Sequence, residues 1–129
     1  MLADVFGGDS TFGRRSLDAI RRCLREGRLV ACDIVWAEIT SFFPSQRAAE
    51  DALARAGVEF SPTEPGAAAE AGTAFRTYRS RGGKGDRRIA DFLIATHALT
   101  QADRLLTRDR GFYRSYFRRL RLLEPGADA

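Results

Sequence analysis

The sequence predicts an α/β domain in which a parallel sheet is covered by helices. Three observations carry this. Segments with apolar residues at helical spacing alternate with short apolar runs. Those runs, such as Leu29-Val30-Ala31-Cys32, are apolar throughout rather than at every second residue, as strands buried on both faces are. Finally, 129 residues with 44% hydrophobic and 29% charged content suit one domain with a packed core, residues 1–129, and do not suit disorder.

The elements follow in order. GGDST at 7–11 forms a turn and a helix start that Asp9 or Ser10 can cap. Leu17, Ile20 and Leu24 then mark one helical stripe, with Arg14, Arg15, Arg21, Arg22 and Arg25 mostly elsewhere, and Gly27 is the stop. Leu29 to Cys32 is the first strand. Val35, Ile39 and Phe42 define a helix from Ile34 to Phe43 that ends before Pro44. Ser45 opens the next helix, with Ala49, Ala52, Leu53 and Ala56 inward and Gly57 as its stop. Val58-Glu59-Phe60 is a second strand. Thr63 and Pro65 open a helix with Ala68, Ala71, Phe75 and Tyr78 on one face. The basic, glycine-rich loop Arg79 to Asp86 follows, and Asp86 can cap a helix whose stripe is Ile89, Ala90, Leu93, Ile94 and Ala98. Leu105-Leu106 is a third strand, Gly111 to Phe117 a helical turn, and Leu120 to Leu123 a last strand ended by Pro125.

Composition narrows the function classes. No apolar run approaches the roughly 20 residues that cross a bilayer, and no signal-like leader opens the chain, so a cytoplasmic location without membrane contact is expected. Net charge is +4, and of 21 basic residues only Lys84 is not Arg. Arg forks grip phosphate bidentately, which is compatible with a nucleic-acid partner, although a GC-rich genome also writes Arg in place of Lys. The two cysteines, Cys23 in a helix and Cys32 in a strand, are expected to be free buried thiols, because the only histidine is His97 and no zinc set can be assembled.

Three acids stand out by their company. Glu38 lies in Ile34-Val35-Trp36-Ala37-Glu38-Ile39, Asp91 in Ile89-Ala90-Asp91-Phe92-Leu93, and Asp109 just past Leu105-Leu106-Thr107-Arg108. A carboxylate in apolar sequence is costly to bury without a partner. Each lies near the carboxyl end of a strand or the start of a helix, the edge where open parallel sheets bind ligands. Carboxylates gathered there repel one another, and Mg2+ or Mn2+ relieves the repulsion through oxygen ligands. A cation so held activates water against a phosphodiester. Each acid alone also has a plainer reading: Glu38 on an exposed helix face, Asp91 paired with Arg87 or Arg88, and Asp109 as a helix cap. Spacing alone does not name the reaction.

The stretch RIADFLIATHALTQADRLLTRDRGFYRSYFRRLRLLEP, residues 88–125, closely resembles the C-terminal half of PIN-domain proteins, especially the VapC toxins of bacterial toxin–antitoxin pairs. LVACDIVWAEI, residues 29–39, is similar to their second strand and the helix that carries the second acid. The resemblance implies a three-layer sandwich and a Mg2+- or Mn2+-dependent endoribonuclease, homodimeric and neutralised by a cognate antitoxin. It implies that Glu38, Asp91 and Asp109 are catalytic metal ligands, with Thr107 as the accompanying hydroxyl. One departure stands out. PIN domains open with a strand ending in aspartate, whereas Met1-Leu2-Ala3-Asp4-Val5-Phe6 resembles the helix after that motif. The first strand and its aspartate are therefore expected to be missing, as a misread GTG start codon or a trimmed chain would produce, and Asp4 is a poor substitute. Loss of that strand removes backbone pairing as well as one ligand.

The remaining residues divide between function and packing. His97 lies six residues past Asp91, about 120° around the helix, so packing or hydrogen bonding is favoured over ligation. Trp36, Phe42 and Phe43 belong to the core or a dimer interface, or line an antitoxin groove. Seven Arg lie between Arg104 and Arg121, and Arg108, Arg110 and Arg114 flank the proposed site where RNA phosphate would lie. The competing function is a catalytically impaired PIN-like module that binds RNA or antitoxin without cutting.

Overall fold

A computed structural model describes residues 13–83, 85, 87–107 and 110–123 of the chain. Ten elements alternate along the described residues. Helix α1 (Gly13–Glu26) buries Ser16, Ala19 and Ile20, leaves Arg14, Arg15, Arg21 and Arg25 exposed, and ends where the Gly27 N–H donates to the Cys23 carbonyl. Its expected caps, Asp9 and Ser10, lie outside the described residues. Strand β1 (Leu29–Ala31) follows. Cys32 is buried but is not the last strand residue: it is the extended residue that precedes helix α2 (Asp33–Thr40). Helix α2 ends three residues short of the expected Phe43, and Phe42 is 55% exposed, so it is no core residue.

Ser45 caps helix α3 (Gln46–Arg55): its hydroxyl accepts from the Ala48 N–H at 3.1 Å, filling one orphan donor of the first turn. Gly57 turns the chain at φ 77°, a left-handed value suited to glycine, into strand β2 (Val58–Phe60). Helix α4 (Pro65–Ser80) has Pro in its first turn, where no N–H is needed. It buries Ala67, Ala71 and Tyr78, one position away from the expected Ala68.

Helix α5 (Ile89–Gln101) buries Phe92, Ala95, Thr96, His97 and Ala98, whereas Ile89, expected inside, is 42% exposed. The reason is that α5 is covered on more than one side, so no single stripe describes it. The Thr96 hydroxyl donates to the Ala67 carbonyl at 2.8 Å and ties α5 to α4. Asp86, the expected cap of α5, lies outside the described residues, and Arg88 occupies the capping position. Strand β3 (Leu105–Leu106), helix α6 (Arg110–Tyr116) and strand β4 (Leu122–Leu123) complete the order.

Among the described residues the strands pair in parallel, as expected, but in two separate pairs. Strand β1 pairs with β2, Leu29 opposite Val58. Strand β3 pairs with β4, Leu105 opposite Leu122. The core divides the same way. Ala31, Ile39, Leu53 and Val58 pack under the first pair. The larger cluster centres on Phe92, whose ring lies 5.2 Å from Phe75, 5.5 Å from Tyr78 and 5.3 Å from Phe112. Cys23 and Cys32 are free thiols, and burial raises the pKa of both. No helix among the described residues is long and apolar enough to cross a membrane.

Candidate active site

The site is built where β1 and β3 end. Past β1 the chain turns through Cys32 into α2, which carries Glu38 on an exposed face. Past β3 it reaches the half-buried Thr107, whose N–H donates to the Leu123 carbonyl at 3.0 Å. Between the strands lies a cavity of about 390 Å3. Glu38, Thr107, Ile94 and His97 all line it, so two of the expected site residues share one space.

Asp91 stands differently. It is half-buried in the first turn of α5, three residues before Ile94, and does not line the cavity. Its Oδ2 accepts from the Arg88 N–H at 3.1 Å, which satisfies one orphan donor of the helix start. The partnership expected of Arg88 is thus made through backbone rather than charge. Asp109 and Arg108 lie outside the described residues. Arg110 opens α6, and Arg114 is exposed on that helix. Among the described residues, no three His, Cys, Asp or Glu side chains come together in a group that could hold a metal.

His97 packs as expected: it is buried, with Nε2 2.9 Å from the Ser61 hydroxyl, and burial pushes its pKa down. Asp33 was not singled out from sequence, and Thr63 only as the opening of helix α4, whose capping position is in fact Glu64. The Asp33 carboxylate accepts from both the Thr63 hydroxyl, at 2.6 Å, and the Thr63 N–H, at 3.1 Å. The Thr63 hydroxyl is the main cause holding the Asp33 carboxyl below its usual range. This clamp joins the start of α2 to the loop after β2 and fixes the segment that presents Glu38. Its one sequence signal is an acid at the first helical position after a strand, which usually means only a favourable helix dipole.

The PIN domain family model matches residues 2–118. Among solved structures, the chain resembles one described as the crystal structure of VapBC2 from Rickettsia felis bound to a DNA fragment from their promoter. The TM-score is 0.66 and the identity 16%, over 94% of this chain and 90% of the other. At that identity the likeness speaks for the fold. No curated protein matches the chain.

Proposed function

The chain belongs to the PIN-domain family, and from that premise we propose that it is a metal-dependent endoribonuclease, the toxin of a type II toxin–antitoxin pair. PIN domains are generally nucleases, so hydrolysis of a phosphodiester is the activity class. The observation that carries the reading is the meeting of Glu38 and Thr107 at one cavity, in a chain matched by the family along nearly its whole length.

The donor chemistry fits a hard divalent cation. Glu38 is an exposed carboxylate beside the cavity, and Asp91 is a half-buried one at a helix start. With Asp109 they would hold Mg2+ or Mn2+, which when bound supplies a Lewis acid and an activated water. Thr107 would be the hydroxyl that accompanies this acid set. Arg108, Arg110 and Arg114 would hold RNA phosphates as bidentate forks. The cognate antitoxin would neutralise the enzyme, which would act as a homodimer in the cytoplasm.

The test is cleavage of total RNA. We expect fragments in Mg2+ or Mn2+, none in EDTA, and none from Glu38→Gln at unchanged thermal stability. Cleavage that persists in EDTA would remove the metal mechanism. A second reading, a PIN-like module that binds RNA or antitoxin without cutting, is favoured by the Asp91 carboxylate being engaged by its own helix start. It predicts RNA binding that weakens with salt and no fragments at any metal concentration.

A further inference from the structure

Helix α5 has a recess on each of two sides. Ile94, His97 and Ala98 line the cavity that holds Glu38 and Thr107, whereas Phe92 and Leu99, about half a turn around the helix, back a second recess. This second recess is an open groove of about 470 Å3 between α4 and the end of α6, and it shares no lining residue with the cavity. Tyr116 lines it and is 48% exposed. The ring packs against Tyr78 and Phe112, each at 5.4 Å, so it is held in place while nearly half of the residue stays open. The charged residues of the groove are Arg81, Arg118, Arg119 and Glu70. Arg119 and Glu70 meet at 3.7 Å and offset each other's charge. Arg81 and Arg118 are exposed and form no ion pair among the described residues. Arg81 lies at the C-terminal end of α4, where its charge suits the helix dipole. Among the described residues nothing in the fold accounts for Arg118 or for the open ring of Tyr116.

We propose that this groove binds a nucleotide, its base stacked on Tyr116 and its phosphate held by Arg81 and Arg118. Three features select that ligand. A fixed, half-open aromatic ring takes the flat face of any base. Guanidinium forks take phosphate oxygens bidentately, and with Glu70 engaged by Arg119 the groove keeps a net positive charge. A recess of a few hundred Å3 is the size of a small-molecule site, whereas a folded partner needs a broader face. An acidic peptide would use the two Arg and leave Tyr116 without a stacked partner. A free mononucleotide and one nucleotide of an RNA strand offer the same chemistry. The groove stands on the side of α5 away from Glu38 and Thr107, so it serves to hold a nucleotide and not to cut.

Calorimetric titration of the full chain with adenosine monophosphate (AMP) tests this. The titration runs in EDTA, so its outcome is separate from the metal-dependent cleavage proposed above. Adenosine and inorganic phosphate are each expected to bind at least about tenfold more weakly than AMP, because each makes only one of the two contacts. Arg118→Gln changes an exposed side chain and leaves the core untouched, so it is expected to weaken AMP binding about tenfold at an unchanged thermal midpoint. Tyr116→Leu removes the stacking surface and is expected to weaken AMP to a similar degree, about tenfold. A short single-stranded RNA separates the two sources of the ligand. If it displaces AMP, the groove holds an RNA strand; if AMP binds and is not displaced, the groove holds a free nucleotide. Inorganic phosphate binding as tightly as AMP, AMP binding unchanged in both variants, or no binding at millimolar AMP would overturn the proposal.

Discussion

Asp91 has two possible duties that substitution can separate. Its Oδ2 holds the Arg88 N–H, and under the proposed function its charge would also help to hold a cation. Asn keeps a carbonyl oxygen for the N–H and removes the charge, whereas Ala removes both. Asp91→Ala is therefore expected to lose about 1 kcal/mol of stability in denaturant titration and Asp91→Asn much less. Both are expected to lose RNA cleavage on the order of 100-fold or more. If Asp91→Asn cuts RNA like the parent, Asp91 is only a helix cap. His97 gives a pH signature. Burial holds its folded pKa below the ordinary value near 6.5, so the unfolded chain takes up a proton first. Its contribution to stability is whole above about pH 6.5 and declines as pH falls toward the folded pKa. His97→Gln is expected to flatten the acid side of a stability–pH curve, and an unchanged slope would show that other groups set it.

At the scale of elements, the hairpin of α4 and α5 is the anchor. Phe92 is fully buried among Phe75, Tyr78, Phe112 and Phe117, so Phe92→Ala is expected to cost about 3–5 kcal/mol. At Gly57 a Cβ would meet Leu24 Cδ2 at 3.0 Å and would also impose a side chain on φ 77°. Gly57→Ala is expected to lower the thermal midpoint, while Gly27→Ala, where a Cβ would meet nothing within 4 Å, is not. Local chemistry made many elements legible. Ser45 as a cap, Gly57 as a stop and Leu105-Leu106 as a strand all stand where their residue types place them. Partnership was less legible. Phe92 was hidden because α5 is apolar on several faces, and only the packing of α4 and α6 shows which side is deepest. Cys32 looked like strand because an extended residue before a helix has the same backbone region as a strand residue.

For the whole molecule, parallel pairing follows from apolar runs placed between helices, whereas Thr107, which lines the same cavity as Glu38, was singled out only by the family resemblance. The division of the described strands into two pairs does not follow from any local run, because pairing joins segments distant in sequence. A homodimer is expected in solution, so light scattering should give about twice the 14.3 kDa chain mass. A mass of one chain at micromolar concentration would remove the dimer.

The most direct measurement is RNA cleavage by the purified chain in Mn2+, in EDTA, and with Glu38→Gln. A metal-activated nuclease gives fragments that require Mn2+ and disappear with Glu38→Gln. Fragments that form equally in EDTA, or survive Glu38→Gln unchanged, would contradict it.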